Sequence, residues 1–422
     1  MLVFACLAVA VSLGIDLLAL AGIGRRTPVG DERAYLISAH FEDPHVPWQF
    51  LRPPLFIWIV ARFIGREACE LHLRLLMVSL SAVTAGVTAA AAWQLGGPLL
   101  AVLSSALLIF HPENILISCH IWPDIVLALV IALLNLLIVA PLAGAPLLVL
   151  AVGMVCAVGA HTRIDFVIVP PIVGASLVSS NVTLGPYGWL SLLAPTVAGL
   201  VLYSLRNYRR YGIPLPDTTW AFNLMASETE MLQGAAEPRE IEPIVSTTFS
   251  RWQELEEPER HRRVLGFARQ VVANPLRFLL IAGQRLLTMM GPDSFVRQKL
   301  LRNPGAYPEL GERGRTLLEA PLAVASPLLF TFVVVTMLLR GSPPPSYSWP
   351  AFGVLLAPVL FFARTRYRVA VFPTFALLAA QGIVDLPALL NAPTPTQVAL
   401  LLLSPLALWV LVRFVPRVEV ST

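Results

Sequence analysis

Lysine is almost absent from this chain: Lys299 stands alone beside a long run of arginines. The bias fits GC-rich coding and suggests a bacterial source. Charge of any kind is scarce, at 13% of 422 residues, where soluble domains carry about 25%. A soluble protein is thereby excluded, and a formal net charge of only +4 implies no nucleic-acid partner. The four cysteines, Cys6, Cys69, Cys119 and Cys156, are scattered and lack ligand spacing. They read as small core residues, neither a disulfide frame nor a metal site. Several motifs are also missing: a Gly-rich phosphate loop with Lys, Gly-x-Ser-x-Gly, His-Glu-x-x-His and Cys-x-x-Cys. Their absence removes the usual marks of ATP-driven transport and zinc-peptidase chemistry.

What remains is apolar residue, 56% of the chain, with a mean hydropathy of +0.73. Crossing about 30 Å of hydrocarbon takes roughly 20 residues, and stretches of that kind recur throughout. Long ones run near Leu2–Ile23, His72–Gln94, Ile121–Ala140, Ile164–Ser179, Tyr187–Leu205, Leu317–Leu339, Val369–Leu386 and Val398–Val412. Shorter ones lie near Leu99–Phe110, Pro146–Gly159 and Ala351–Phe362. The expected fold is an all-α polytopic membrane protein with about eleven transmembrane helices. Leu2–Ile23 has no basic leader and no small-x-small cleavage site, so it reads as a retained helix.

Three polar stretches divide the chain. The first loop, 24–71, lies within an N-terminal transmembrane core, 1–205. A larger loop occupies 206–316, and C-terminal transmembrane helices fill 317–422. In the first loop Leu55–Ile64 is too short to span and is flanked by Arg52 and Arg62, as in a juxtamembrane helix lying along the interface. The larger loop holds the charged block Arg251–Arg269 and the amphipathic piece Pro275–Met290, whose Gln284 and Arg285 argue against a crossing. The Pro-rich segment Gly341–Pro350 reads as a short loop, and no internal repeat is visible. Parity then puts Gly24–Leu71, His111–Asp124, Arg206–Thr316 and Arg364–Arg368 on one membrane face. Arginines cluster in these loops, against the positive-inside rule if that face is extracytoplasmic; an anion site would override the bias.

Candidate chemistry sits at helix mouths. Asp31 and Glu32 are adjacent after the first span, so their side chains diverge; in a helix, Asp31 shares a face with Tyr35. A carboxylate in a partly dehydrated cavity is a good base, and carboxylates at a helix start are also stabilised by its dipole. Asp124 follows Trp122-Pro123 at the lip of an apolar run, a functional candidate or a plain helix-start residue. His111, Glu113 and His120 lie in one short stretch and could be ligands, but such loop residues are expected to be solvated. Arginines recur nearby: Arg52 before a Pro-Pro pair, Arg206, Arg209 and Arg210 around Asn207 and Tyr208, and Arg364, Arg366 and Arg368 around Tyr367. Guanidinium groups suit phosphate oxygens, and each could equally snorkel to lipid headgroups. Three such clusters on the carboxylate face point to an anionic substrate.

In order, these pieces resemble the C-type membrane glycosyltransferases that use polyprenyl-phosphate sugars, a class that includes the protein O-mannosyltransferases and the lipid A aminoarabinose transferase. The matching elements begin with Asp31-Glu32-x-x-Tyr35, Arg52-Pro53-Pro54-Leu55, Arg74-Leu75, Pro123-Asp124 and Thr162-Arg163. They continue with Arg206-Asn207-Tyr208 and Gly212, Asn223-Leu224, and Arg366-Tyr367-Arg368. The resemblance implies an extracytoplasmic site roofed by the first and large loops, in a multi-pass protein of the bacterial inner membrane. It makes Asp31 the catalytic base or metal-side acid and Asp124 its partner, with Glu32 in support. Arg52 and the Arg364–Arg368 cluster would meet the donor phosphates. Tyr35, Arg206, Asn207, Tyr208 and Tyr367 would complete substrate binding. Its partners would be a polyprenyl-phosphate-linked sugar donor, a lipid, glycan or protein acceptor, and membrane lipids. Two departures stand out: relatives often carry His or Lys where this chain has Arg52, and no soluble C-terminal domain follows the last span. A phosphate leaving group is a weak base, so one base and phosphate-holding cations suffice, unlike the two-carboxylate glycosidase scheme. Loop carboxylates could also hold Mg²⁺ or Mn²⁺. A transporter or flippase of a lipid-linked saccharide is the alternative; it calls for broken helices with charges near the midplane.

Overall fold

The structure is a computed structural model that describes residues 1–23, 28, 31–40, 52–140, 145–212, 214, 216, 223–224, 227–228, 231, 257–292, 296–297, 311–340, 344–361 and 365–391. Among them every regular element is helical and there are no strands. Five helices are long and apolar enough to cross a membrane, six if one bent pair counts as a span. The protein is therefore a multi-pass membrane protein. Three further apolar helices, Pro146–Thr162, Ile164–Ser179 and Ser346–Leu360, are shorter. The expected span Val398–Val412 lies outside the described residues.

The first helix, α1 (Leu2–Ile23), buries Ala8, Ser12, Asp16, Leu20 and Ile23. That spacing of three and four marks one face of a helix. The face packs on α4 (Cys69–Ile109), while Leu2, Val3, Leu7 and Leu18 point outward. Apolar residues facing out of the bundle are what lipid contact requires.

At 41 residues α4 would reach about 60 Å if straight, twice the hydrocarbon thickness. It is instead broken at Gly96 and Gly97, just before Pro98. Gly97 sits at φ 75° and ψ −159°, a region essentially reserved for glycine. The break separates the two apolar stretches that the sequence shows on either side of it.

A short helix, α5 (Pro112–Ser118), then turns 120° into α6 (Pro123–Val139). Proline opens each, a position where its missing N–H costs nothing. α6 is the hub of the bundle: it is buried along nearly its whole length and packs on α4 and on α7 (Pro146–Thr162). A 3-10 turn (Ile164–Ile168) leads to α8 (Val169–Ser179) and then α9 (Pro186–Tyr211). α7 and α9 cross closely at Gly153, where a Cβ would lie 2.4 Å from the Ser191 carbonyl oxygen.

In the first loop, α2 (Asp31–His40) packs on α3 (Pro54–Ala61), the short helix expected there. In the large loop, α10 (Glu257–Ala273) precedes α11 (Pro275–Met290), which matches the amphipathic stretch. Arg285 of α11 donates to the carbonyls of Leu360 at 2.8 Å and Val359 at 3.3 Å, and to Ser227 Oγ at 3.1 Å. That buried guanidinium docks α11 on protein. The chain continues through α12 (Glu312–Arg340), a 3-10 turn (Ser346–Ser348), α13 (Trp349–Phe361), a second 3-10 turn (Thr365–Val371) and α14 (Phe372–Asn391). All four cysteines are free; Cys119 and Cys156 are buried as expected, Cys69 is half-buried, and Cys6 faces outward.

Candidate active site

The acidic pair opens α2, and its two members have different surroundings. Glu32 is fully buried, and its Oε1 accepts the Ile121 N–H at 3.0 Å with His120 Nδ1 at 3.4 Å. The His120 ring stacks on Trp122 at 4.0 Å between centroids. Asp31 is only half-buried. Glu32 thus binds the first loop to the α5–α6 turn, three residues ahead of Asp124, and places both sequence-identified acidic sites at the same end of the bundle.

The stretch around that turn differs from expectation. His111, Glu113 and His120, expected to be solvated, are all sealed from solvent. The reason is the short helix α5, which folds back among α1, α4 and α12 and carries its polar side chains inward.

Asp124 begins α6 and is also fully buried. Arg163, between α7 and the 3-10 turn, places Nη1 3.3 Å from Asp124 Oδ1. It also grips Asp165, through Nε to Oδ1 at 3.1 Å and through a second, shorter contact from Nη2 to Oδ2. On its other side the guanidinium lies over the Tyr367 ring, 3.7 Å from the centroid. Burial works against the charge of Arg163, but Asp165, Tyr367 and Asp124 together push its proton affinity above the ordinary arginine value. One cation thus joins α6, α7 and the second 3-10 turn. Arg163 was noted in the sequence only within the pair Thr162-Arg163; the signal available was a charged Arg163-x-Asp165 step between two apolar segments.

A second group lies one helical turn away on α2. The Tyr35 ring, three residues beyond Glu32 and four beyond Asp31, receives the Arg52 guanidinium at 4.5 Å and packs edge-on against Phe56 at 4.9 Å. Residues three and four apart on a helix stand about 5–6 Å apart at Cβ, so Arg52 is held close to the acidic pair. Tyr203 of α9 donates its hydroxyl to the Arg52 carbonyl at 3.5 Å, and Arg206 sits 5.4 Å over the Tyr203 ring. Asn207 is buried and Tyr208 exposed. An apolar recess of about 330 Å³, lined by Leu200, Val201, Ser204, Leu205, Tyr208 and Pro214, runs along the same helix.

The C-terminal arginine cluster divides. Arg364 lies outside the described residues, and of Arg366 only the backbone is described. Arg368 turns inward, away from the role expected of it. Its Nε and Nη2 meet Glu113 Oε2 at 2.8 and 2.7 Å, and its Nη1 donates to the carbonyls of Met289 and Gly291, each at 2.7 Å. With no solvent exposure and these partners, Arg368 is a structural cation and not a free hand for phosphate.

Among the described residues no three His, Cys, Asp or Glu side chains are grouped to hold an ion. Glu32 and Asp124 instead spend oxygens on protein donors.

No family profile matches the chain, and no curated protein does. Solved structures do. A crystal structure of ArnT from Cupriavidus metallidurans bound to undecaprenyl phosphate matches 92% of this chain and 81% of its own, at 18% identity and a TM-score of 0.41. The archaeal oligosaccharyltransferase AglB from Archaeoglobus fulgidus, in complex with an inhibitory peptide and a dolichol-phosphate, matches 98% of this chain at 13% identity and a TM-score of 0.45. This chain spans 55% of that larger protein.

Proposed function

We propose that the chain is an inverting glycosyltransferase that moves a sugar from a polyprenyl-phosphate donor to an acceptor hydroxyl on the extracytoplasmic side of a bacterial inner membrane. The observation that carries this reading is the Glu32–Ile121 contact. It brings the first-loop acids, Asp124 and the Tyr35–Arg52 pair to one end of the bundle.

Asp31, the less buried of the pair, is the base. It takes the acceptor O–H proton as the acceptor oxygen attacks the anomeric carbon. The bond from that carbon to the phosphate oxygen breaks, and its electron pair leaves with the lipid phosphate, inverting the configuration. Arg52 and Arg206, each half-buried and backed by a tyrosine ring, hold the departing phosphate. Asp124, held in place by Arg163, orients the acceptor side. No step is assigned to Mg²⁺ or Mn²⁺, because Glu32 and Asp124 spend oxygens on protein donors. About eleven spans remain the proposed count: up to six spans and three shorter apolar helices among the described residues, with α4 counted as two stretches and the apolar stretch Val398–Val412 added. The apolar recess on α9 suits the first isoprene units of the donor.

A flippase of a lipid-linked saccharide is the second reading, favoured by the broken α4 and the 120° bend between α5 and α6. The two separate in one assay: purified protein is incubated with polyprenyl-phosphate sugars and acceptor glycans, and free lipid phosphate is measured. A transferase releases it with turnover. Translocation across vesicles with no release would overturn the transferase reading.

A further inference from the structure

The Glu113–Arg368 pair takes no part in the proposed transfer step, yet it is an ion pair sealed inside the bundle. Glu113 Oε2 takes both Arg368 contacts and the Ser326 hydroxyl at 2.9 Å, and Ser326 lies 3.4 Å from His111 Nε2. The remaining Arg368 nitrogen, Nη1, holds the carbonyls of Met289 and Gly291. Those carbonyls end α11, where helical C=O groups lack partners and the dipole favours a cation. Arg368 therefore caps, from far along the chain, the last turn of a helix in the large loop.

Arg368 directly follows Tyr367 in one 3-10 turn, so the two side chains hang from the same short piece of backbone. Tyr367 is the platform under Arg163, and Arg163 holds Asp124. The end of α11 is thus linked through Arg368, the shared backbone of the turn, Tyr367 and Arg163 to the acid at the start of α6.

We infer that Glu113 and Arg368 are positioning residues: their buried ion pair makes the placement of Asp124 depend on the seating of α11 from the large loop. The inference rests on the transferase reading for its catalytic consequence, but the coupling itself is independent of that reading. When α11 seats, Arg368 is drawn between Glu113 and the two carbonyls, and Tyr367 is set under Arg163. When α11 lifts, Arg368 loses two acceptors and Tyr367 loses its register.

The test uses the full-length protein in lipid nanodiscs, with Glu113→Gln and Arg368→Lys as conservative variants and Ser326→Ala as a milder one. Hydrogen exchange is read on three segments: 286–291 at the end of α11, 163–168 around Arg163, and 120–126 around Asp124. In Glu113→Gln we expect exchange to speed at least tenfold in all three, with Ser326→Ala showing the same pattern more weakly. Exchange that speeds only at 111–118, 286–291 and 365–371 would overturn the inference, because the pair would then be a local brace. A variant that no longer folds is recognised by loss of protection throughout, and Ser326→Ala then decides.

The catalytic consequence is read from the split between kcat and KM. Arg163 contacts both Asp124 and Asp165 while Tyr367 covers its face. Loosening Arg163 misplaces Asp124, so kcat should fall about tenfold or more while KM for the donor changes less than about threefold. A raised KM with kcat unchanged, or a kcat equal to that of the parent, would overturn this part. If the wild-type protein shows no transfer at all, the transferase reading fails, while the exchange result still decides the coupling.

Discussion

Asp124→Asn separates a catalytic acid from a structural one. Asp124 is fully buried, and its partner Arg163 keeps a second carboxylate, Asp165, and the Tyr367 ring. Removing one member of a buried ion pair typically costs about 3–5 kcal/mol, because the other charge is stranded. Here the other charge is not stranded. Asparagine also preserves the shape and one carbonyl acceptor, so the loss approaches that of a single hydrogen bond to a charged group, about 1.5–3 kcal/mol at most. Against a total stability of roughly 5–15 kcal/mol the variant should fold. If the Asp124 charge acts in the transition state, its removal should lower turnover about 10²–10³-fold, as loss of one preorganised electrostatic contact does. The assay pairs lipid-phosphate release with a thermal melt of the same preparation. A variant that melts a few degrees lower but turns over within threefold of the parent would refute the catalytic role. The reverse substitution, Arg163→Ala, is predicted to do more harm to folding, because it removes the cation that both Asp124 and Asp165 contact.

Asp31→Asn should abolish release of lipid phosphate while leaving expression and the melt unchanged; near-full activity would remove Asp31 as the base. Gly153→Ala drives a Cβ to 2.4 Å from a backbone carbonyl of α9, and should cost about 1–3 kcal/mol by forcing α7 and α9 apart, seen as a lower melting midpoint. His111 is held neutral by burial and by Arg368, its proton affinity lowered to about 3. The unfolded chain binds a proton near 6.5 that the folded one refuses, so stability should fall as pH drops below about 6.5, by up to about 1.4 kcal/mol per unit, and His111→Gln should flatten that slope in melts taken from pH 7 to 5. Chelation with EDTA should leave lipid-phosphate release unchanged; loss of activity restored by Mg²⁺ or Mn²⁺ would show a metal role that the described carboxylates do not account for.

Several apolar spans were readable from the sequence because burial in lipid imposes a long unbroken run, and α1, α7, α9 and α12 follow apolar stretches read there. Local chemistry was readable too: Asp31 and Tyr35 were placed on one helix face, and α2 carries both. His111, Glu113 and His120 were misread as solvated, because a short polar stretch between two helices gives no hint that it folds back into the bundle. Arg368 was grouped with phosphate-binding arginines for a related reason. Its charge is visible in the sequence, but its partner Glu113 lies 255 positions away.

The sequence by itself determined that this is a helical membrane protein with acids and arginines gathered at helix mouths. Those properties come from local periodicity and from the cost of placing charge in hydrocarbon. Only the tertiary structure decided the roles within that set. It sealed Glu32 against Ile121 while leaving Asp31 half-buried, made Arg163 the shared partner of Asp124 and Asp165, and turned Arg368 inward onto Glu113. The physical reason is that a side chain's role depends on which distant groups satisfy it, and those pairings are set by how the helices pack.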